Sequence, residues 1–139
     1  MASRNYYIRD DQALIMIDVR PVTIGIASTV VQLKRTGGTV VSLGDSGSDA
    51  TGNIQHLPVG TSSDLVNTVL VVTTVVNLVH LPQNQWDSVY EQLRIHYRLS
   101  GGMDGNQDFN VDNDDRIRIM DNQIIAATKA IKFMRHDNL

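Results

Sequence analysis

Residues 104–115, DGNQDFNVDNDD, hold five aspartates and three asparagines in twelve positions, with no Lys or Arg among them. Oxygen-bearing side chains at Asp104, Asn106, Asp108, Asp112 and Asp115 take the first, third, fifth, ninth and twelfth places, and the backbone carbonyl of Asn110 takes the seventh. That spacing suits a hard cation such as Ca²⁺, which draws about six to eight oxygen ligands from a chain curling around it. Asp104, Asn106, Asp108, Asn110, Asp112 and Asp115 are therefore the candidate metal ligands, and Ca²⁺ is the candidate cofactor. A second string with chemical potential, Gly44-Asp45-Ser46, follows the apolar residues 40–43 and places a serine hydroxyl at a strand end.

The ligand order resembles that of EF-hand loops, and the closing Asp115 is similar to the dockerin variant. The resemblance covers these twelve residues only. Phe109 stands at the sixth place, where Gly normally supplies the sharp turn. Ile95, Tyr97 and Leu99 alternate before the run and Ile117 and Ile119 after it, so strands rather than helices enter and leave. The same alternation ranks Arg94, His96 and Arg98 on one strand face and Arg116 and Arg118 on another. Fixed cations beside fixed anions are a second way to neutralise the run, as a salt-bridged connection without metal.

Residues 40–53, VVSLGDSGSDATGN, resemble the nucleophile block of GDSL-type esterases, and the string GDSG also matches trypsin-like proteases. Either resemblance implies Ser46 as nucleophile. The esterase pattern also needs Asp-x-x-His, yet the residues three before His56, His80, His96 and His136 are Asn53, Asn77, Leu93 and Phe133. In the protease order the histidine precedes the serine, whereas the first histidine here is His56. A plain Gly/Asp/Ser turn explains the string as well.

Composition narrows the classes. The net charge is −3, and because residues 104–115 carry −5 the remainder is +2. A pI near 5.7 argues against nucleic acid as a partner, since such domains gather a basic excess on one face. The chain has no Cys, which removes disulfides and thiolate zinc sites. MASRNYYIRDD lacks the apolar core of a secretion signal, so cytoplasmic synthesis is expected. The apolar run 65–81 falls short of the roughly 20 residues of a spanning helix, and its Val and Thr content favours strand, so no membrane partner is expected.

The elements that must position these groups read as mainly β. Val, Ile and Thr fill 38 positions while Glu91 is the single glutamate, a balance that favours sheet. Alternation predicts strands over 5–8, 13–19, 22–26, 29–34, 39–43, 94–99 and 116–120, with one or two more within 65–81. Gly37-Gly38 marks a tight turn, and residues 44–60 read as one long polar connection. A short helix is expected at 84–93, with Trp86 as a core anchor. Residues 122–136 read as a final helix, although Ile125, Ala127, Lys129, Ile131 and Phe133 alternate as a strand would.

The sequence thus predicts a single antiparallel β-sandwich-like domain over residues 1–139. It is expected to act without catalysis, through protein–protein contacts in a homo-oligomer or larger complex, because the run 65–81 is apolar on both faces and wants a cover. The alternatives are a calcium-dependent module recognising carbohydrate or protein, and a small GDSL-like hydrolase using Ser46.

Overall fold

Alternation of buried and exposed residues dominates the chain, and it builds two stacked sheets. The computed structural model describes residues 3–9, 11–103 and 105–135. Ten strands are formed: β1 Ser3–Ile8, β2 Leu14–Val22, β3 Ile26–Lys34, β4 Val40–Asp45, β5 Ile54–Thr61, β6 Val69–Asn77, β7 Arg94–Gly102, β8 Gly105–Asn110, β9 Arg116–Ile119 and β10 Ile124–Arg135. Helix α1 is Ser62–Leu65 and α2 is Trp86–Gln92. The first sheet runs β1-β10-β6-β3-β4, with β9 also paired to β10, and the second runs β5-β2-β7-β8.

The inner faces share one core. Leu70, Val72 and Val76 of β6 and Ile125, Ile131 and Phe133 of β10 meet Ile15, Ile17 and Val19 of β2 and Ile95, Tyr97 and Leu99 of β7. This is the packing of two half-polar sheets whose apolar faces exclude water from each other. Tyr6 ties the layers together at one edge: its hydroxyl donates to the Gly105 carbonyl at 2.7 Å and accepts the Gly102 N–H at 2.8 Å. No helix among the described residues is long and apolar enough to cross a membrane.

The mainly β, sandwich-like class and the helix near 84–93 are as the sequence indicates. Several details differ. The expected C-terminal helix is instead β10, a strand paired with β6, β1 and β9. Ala126, Ala127 and Ala130 favour helix only weakly, and burying Ile125, Ala127, Ile131 and Phe133 on one face outweighs that preference. The β1–β10 pairing is parallel, so the first sheet is mixed rather than wholly antiparallel. Residues 22–26 are not a strand of their own: Val22 ends β2, Ile26 begins β3, and Thr23 to Gly25 form the corner between sheets, where a Cβ on Gly25 would lie 2.3 Å from Val76 Cγ1.

The long connection after Gly44 shrinks because β4 continues to Asp45 and β5 begins at Ile54. The apolar run 65–81 resolves into the end of α1, β6 and a turn, which answers the problem of its length. Half of the acidic run is itself strand: β8 pairs antiparallel with β7.

The β9–β10 turn holds Met120, Asp121 and Asn122 all at positive φ. Asp and Asn tolerate that region, but a longer side chain is held there at a cost. Met120→Gly is expected to stabilise the chain by about 0.5–1 kcal/mol, read from urea unfolding.

Candidate functional site

The extended β8 disperses the candidate ligands. Asn106 and Asp108 lie on its exposed side and Asn110 at its end, while Asp112 and Asp115 lie on the crossover that carries the chain to the first sheet. Asp104 lies outside the described residues. Asp108 pairs with Arg98, whose Nε donates at 2.7 Å, and Asn110 Oδ1 is 2.9 Å from His96 Nδ1. Asp112 and Asp115 instead converge on Lys129, whose Nζ donates to Asp112 Oδ2 at 2.6 Å and Asp115 Oδ2 at 3.0 Å.

Lys129 reaches them because of its place on β10. It occupies an inward position between Ala127 and Ile131, where the strand's other edge passes from β9 to β1. Its side chain is 1% exposed and that of Asp115 is 0%. Asp115 also accepts the Asp112 N–H at 2.8 Å, which closes a tight turn over Asn113–Asp115. Arg4 of β1 adds a second cation, 2.8 Å from Asp112 Oδ2. The hydrogen bond from Lys129, helped by Arg4, holds the Asp112 carboxyl below the ordinary carboxylate range.

Three buried atoms in this neighbourhood have no hydrogen-bond partner among the described residues, Asp115 Oδ1, Arg116 Nε and the Tyr97 hydroxyl. Burial, with the charges of Asp115 and Asp112 added, pushes the Tyr97 phenol upward, so it stays neutral. A third carboxylate, Asp114, completes an acidic group whose ligand oxygens lie within 4.8 Å of one another.

The sequence pairing of carboxylates with arginines was right for Arg98 alone. Arg94 donates to the Glu91 and Leu93 carbonyls, Arg116 to the Tyr90 carbonyl and Asn113, and Arg118 to Asp87 while stacking on Tyr90. Lys129 was missed as a partner. Its signal was present: a lysine at an inward place in an otherwise apolar alternation must find an anion.

The solvent side of the second sheet carries a polar trough of about 840 Å³, lined by Asp18, Arg20, His56, His96, Arg98 and Asp108 among others. Asp18 accepts the His56 N–H at 2.6 Å. The Arg98 guanidinium depresses Asp108, so this carboxyl carries its charge at lower pH than usual. Stability from a depressed carboxyl is complete above its ordinary value near 4 and is lost as pH falls through the folded value. Arg98→Gln is expected to return Asp108 toward the ordinary value, seen in carboxyl-carbon NMR titration, with little change in stability because the pair is exposed.

Ser46 directly follows β4, where its hydroxyl oxygen accepts the Thr29 N–H at 2.9 Å and its own N–H donates to the Thr29 carbonyl. Among the described residues no histidine hydrogen-bonds to it. The GDS string thus serves as a sheet-end turn, with Asp45 Oδ1 accepting the Gly47 N–H.

The outer face of the first sheet is of another kind. Directly paired residues point to the same side, so the register defines it row by row. Ile119, Ile124, Asn77 and Ile26 form one row, and Ile117, Ala126, Val75 and Ser28 the next. Thr128, Thr73 and Val30 follow, then Ala130, Val71 and Gln32. No charge occurs on β9, β10, β6 or β3 in these four rows; Lys132 and Lys34 come only in the row beyond. Ile117 is 57% exposed and Ile26 47%.

No protein-family model, curated protein or solved structure matches this chain.

Proposed function

We propose that the chain is a non-catalytic assembly module working through protein–protein contacts, with the outer face of the first sheet meeting the same face of a second copy. The uncharged, half-exposed face across β9, β10, β6 and β3 carries this reading. Its fourteen positions, on strands about 4.8 Å apart and in rows about 6.6 Å apart, make a footprint of roughly 440 Å², with Ala130 the one position that is buried. That is the size of the largest patch on a typical monomer, which is often a functional one. With Ile24, Val79 and Met120 exposed in turns at the Ile26–Asn77 end, it approaches the roughly 800 Å² per partner of a stable interface.

A second copy suits the face better than a dissimilar partner. Across these four strands it is uncharged and built mostly of β-branched and small residues, which pack on a like surface with no charge left unpaired. Of the charges at its margin, Lys34 and Lys132 lie beyond one end, Asp121 at the other and Asp45 of β4 beside Val30, so that cations meet carboxylates when two copies pack antiparallel. Sedimentation equilibrium at about 100 µM, far above a micromolar dissociation constant, is expected to give twice the 15.4 kDa chain mass. A strict 15.4 kDa species at that concentration overturns the reading.

The acidic group of Asp112, Asp114 and Asp115 favours a second reading, calcium-dependent recognition of carbohydrate or protein. The two separate cleanly. Lys129 already supplies a cation to Asp112 and Asp115, so the assembly reading expects one melting temperature in calcium and in chelator. A rise of several degrees with calcium favours recognition instead.

A further inference from the structure

We propose that Lys129 and Asp115 become joined by a side-chain amide bond, formed within the folded chain with Asp112 as the proton carrier. The geometry is that of a reactant pair. Lys129 Nζ lies 3.0 Å from Asp115 Oδ2, one bond from the carboxyl carbon it would attack. Both side chains are sealed from solvent, at 1% and 0% exposure. Removing a charged pair from water costs several kcal/mol per ion, so joining the two into a neutral amide relieves that cost, and the same burial excludes the water that would reverse the bond.

Asp115's two oxygens are unequal in a way that suits the reaction. Oδ2 accepts the Asp112 backbone N–H at 2.8 Å, a fixed donor on the atom that becomes the oxyanion of the tetrahedral intermediate. Oδ1 is buried without a hydrogen-bond partner among the described residues. Oδ1 can leave without breaking any hydrogen bond.

The step balances. Asp112 Oδ2 takes one ammonium proton along its hydrogen bond and delivers it to Asp115 Oδ1, and the Nζ lone pair forms the N–C bond. Asp112 Oδ2, 2.6 Å from Nζ, takes a second proton from nitrogen and returns it to the departing oxygen. The C–Oδ1 bond breaks, and an ammonium and a carboxylate have become a secondary amide and one water. No oxidant, metal or co-substrate is consumed. Positioned reactants of this kind reach effective concentrations of about 10⁵–10⁸ M, enough to reverse the usual preference for hydrolysis.

Intact-mass spectrometry of the purified chain, held at neutral pH for some days, tests the bond directly. The native chain is expected to weigh one water less than its sequence, and the loss persists in denaturant and mild alkali. After trypsin, the peptide ending at Arg116 stays joined to the one containing Lys129. Lys129→Gln and Asp115→Ala each restore the full mass, and Asp112→Ala slows the loss at least tenfold. A native chain of full mass overturns the proposal. So does a water loss that maps to the Asp104-Gly105 step and reverses in mild alkali, because that marks a succinimide.

Discussion

Replacing Lys129 by Met is expected to lower stability by about 3–5 kcal/mol relative to a native chain whose Lys129 and Asp115 are still an unjoined ion pair, the usual cost of stripping one partner from such a buried pair. For a chain of this length that is a fall of roughly 10–15 °C in melting temperature. Met keeps much of the packed volume, so the loss reports the missing charge and donors rather than a cavity. Asp115 would be left with the Asp112 N–H as its remaining donor, inside a core that cannot hydrate it. Lys129→Met with Asp115→Leu is expected to recover most of the loss, since two apolar groups leave nothing unpaired. A single variant within 1 kcal/mol of native, by urea unfolding, contradicts the placement of Lys129 in the core.

The second large effect falls on assembly. Val75 is central on the uncharged face, flanked by Ala126 and Ser28. Val75→Lys sets an ammonium where two apolar faces should meet, with no carboxylate in its row to answer it. The penalty is several kcal/mol per dimer, because the symmetric contact buries the charge twice, and the dissociation constant should rise at least a hundredfold. Fold stability should change little, since Val75 is 37% exposed in a single chain. Light scattering that shows an unchanged dimer for Val75→Lys moves the contact elsewhere.

Much of this was legible in residue types. Alternation of apolar residues gave the sheets, and Trp86, Val89, Tyr90 and Leu93 gave the short helix, because burial on one face is a local pattern. What escaped was set by distant pairing. Residues 122–136 fit helix and strand equally until three neighbouring strands are present to satisfy β10. Lys129 meets Asp112 and Asp115 only because the crossover after β8 passes over an inward position of β10, a juxtaposition no spacing rule encodes. The acidic run was read as one unit when it is two: Asp108 belongs to a solvated strand face, while Asp112 and Asp115 belong to the core edge. The doubly apolar character of residues 65–81 was a true signal. One face of β6 fills the core, and the other is the exposed surface on which the functional reading rests.

The face itself can be interrogated because the chain has no native cysteine. Thr73→Cys places one thiol in the third row of the uncharged face, and Arg20→Cys places one on the opposite, polar surface. Their rates of maleimide labelling, followed across protein concentration, are the most direct measure of whether that face is covered. The account predicts that labelling at Thr73→Cys slows as concentration rises through the range in which mass doubles, while Arg20→Cys reacts at one rate throughout. Labelling of Thr73→Cys that is equally fast at every concentration would contradict it.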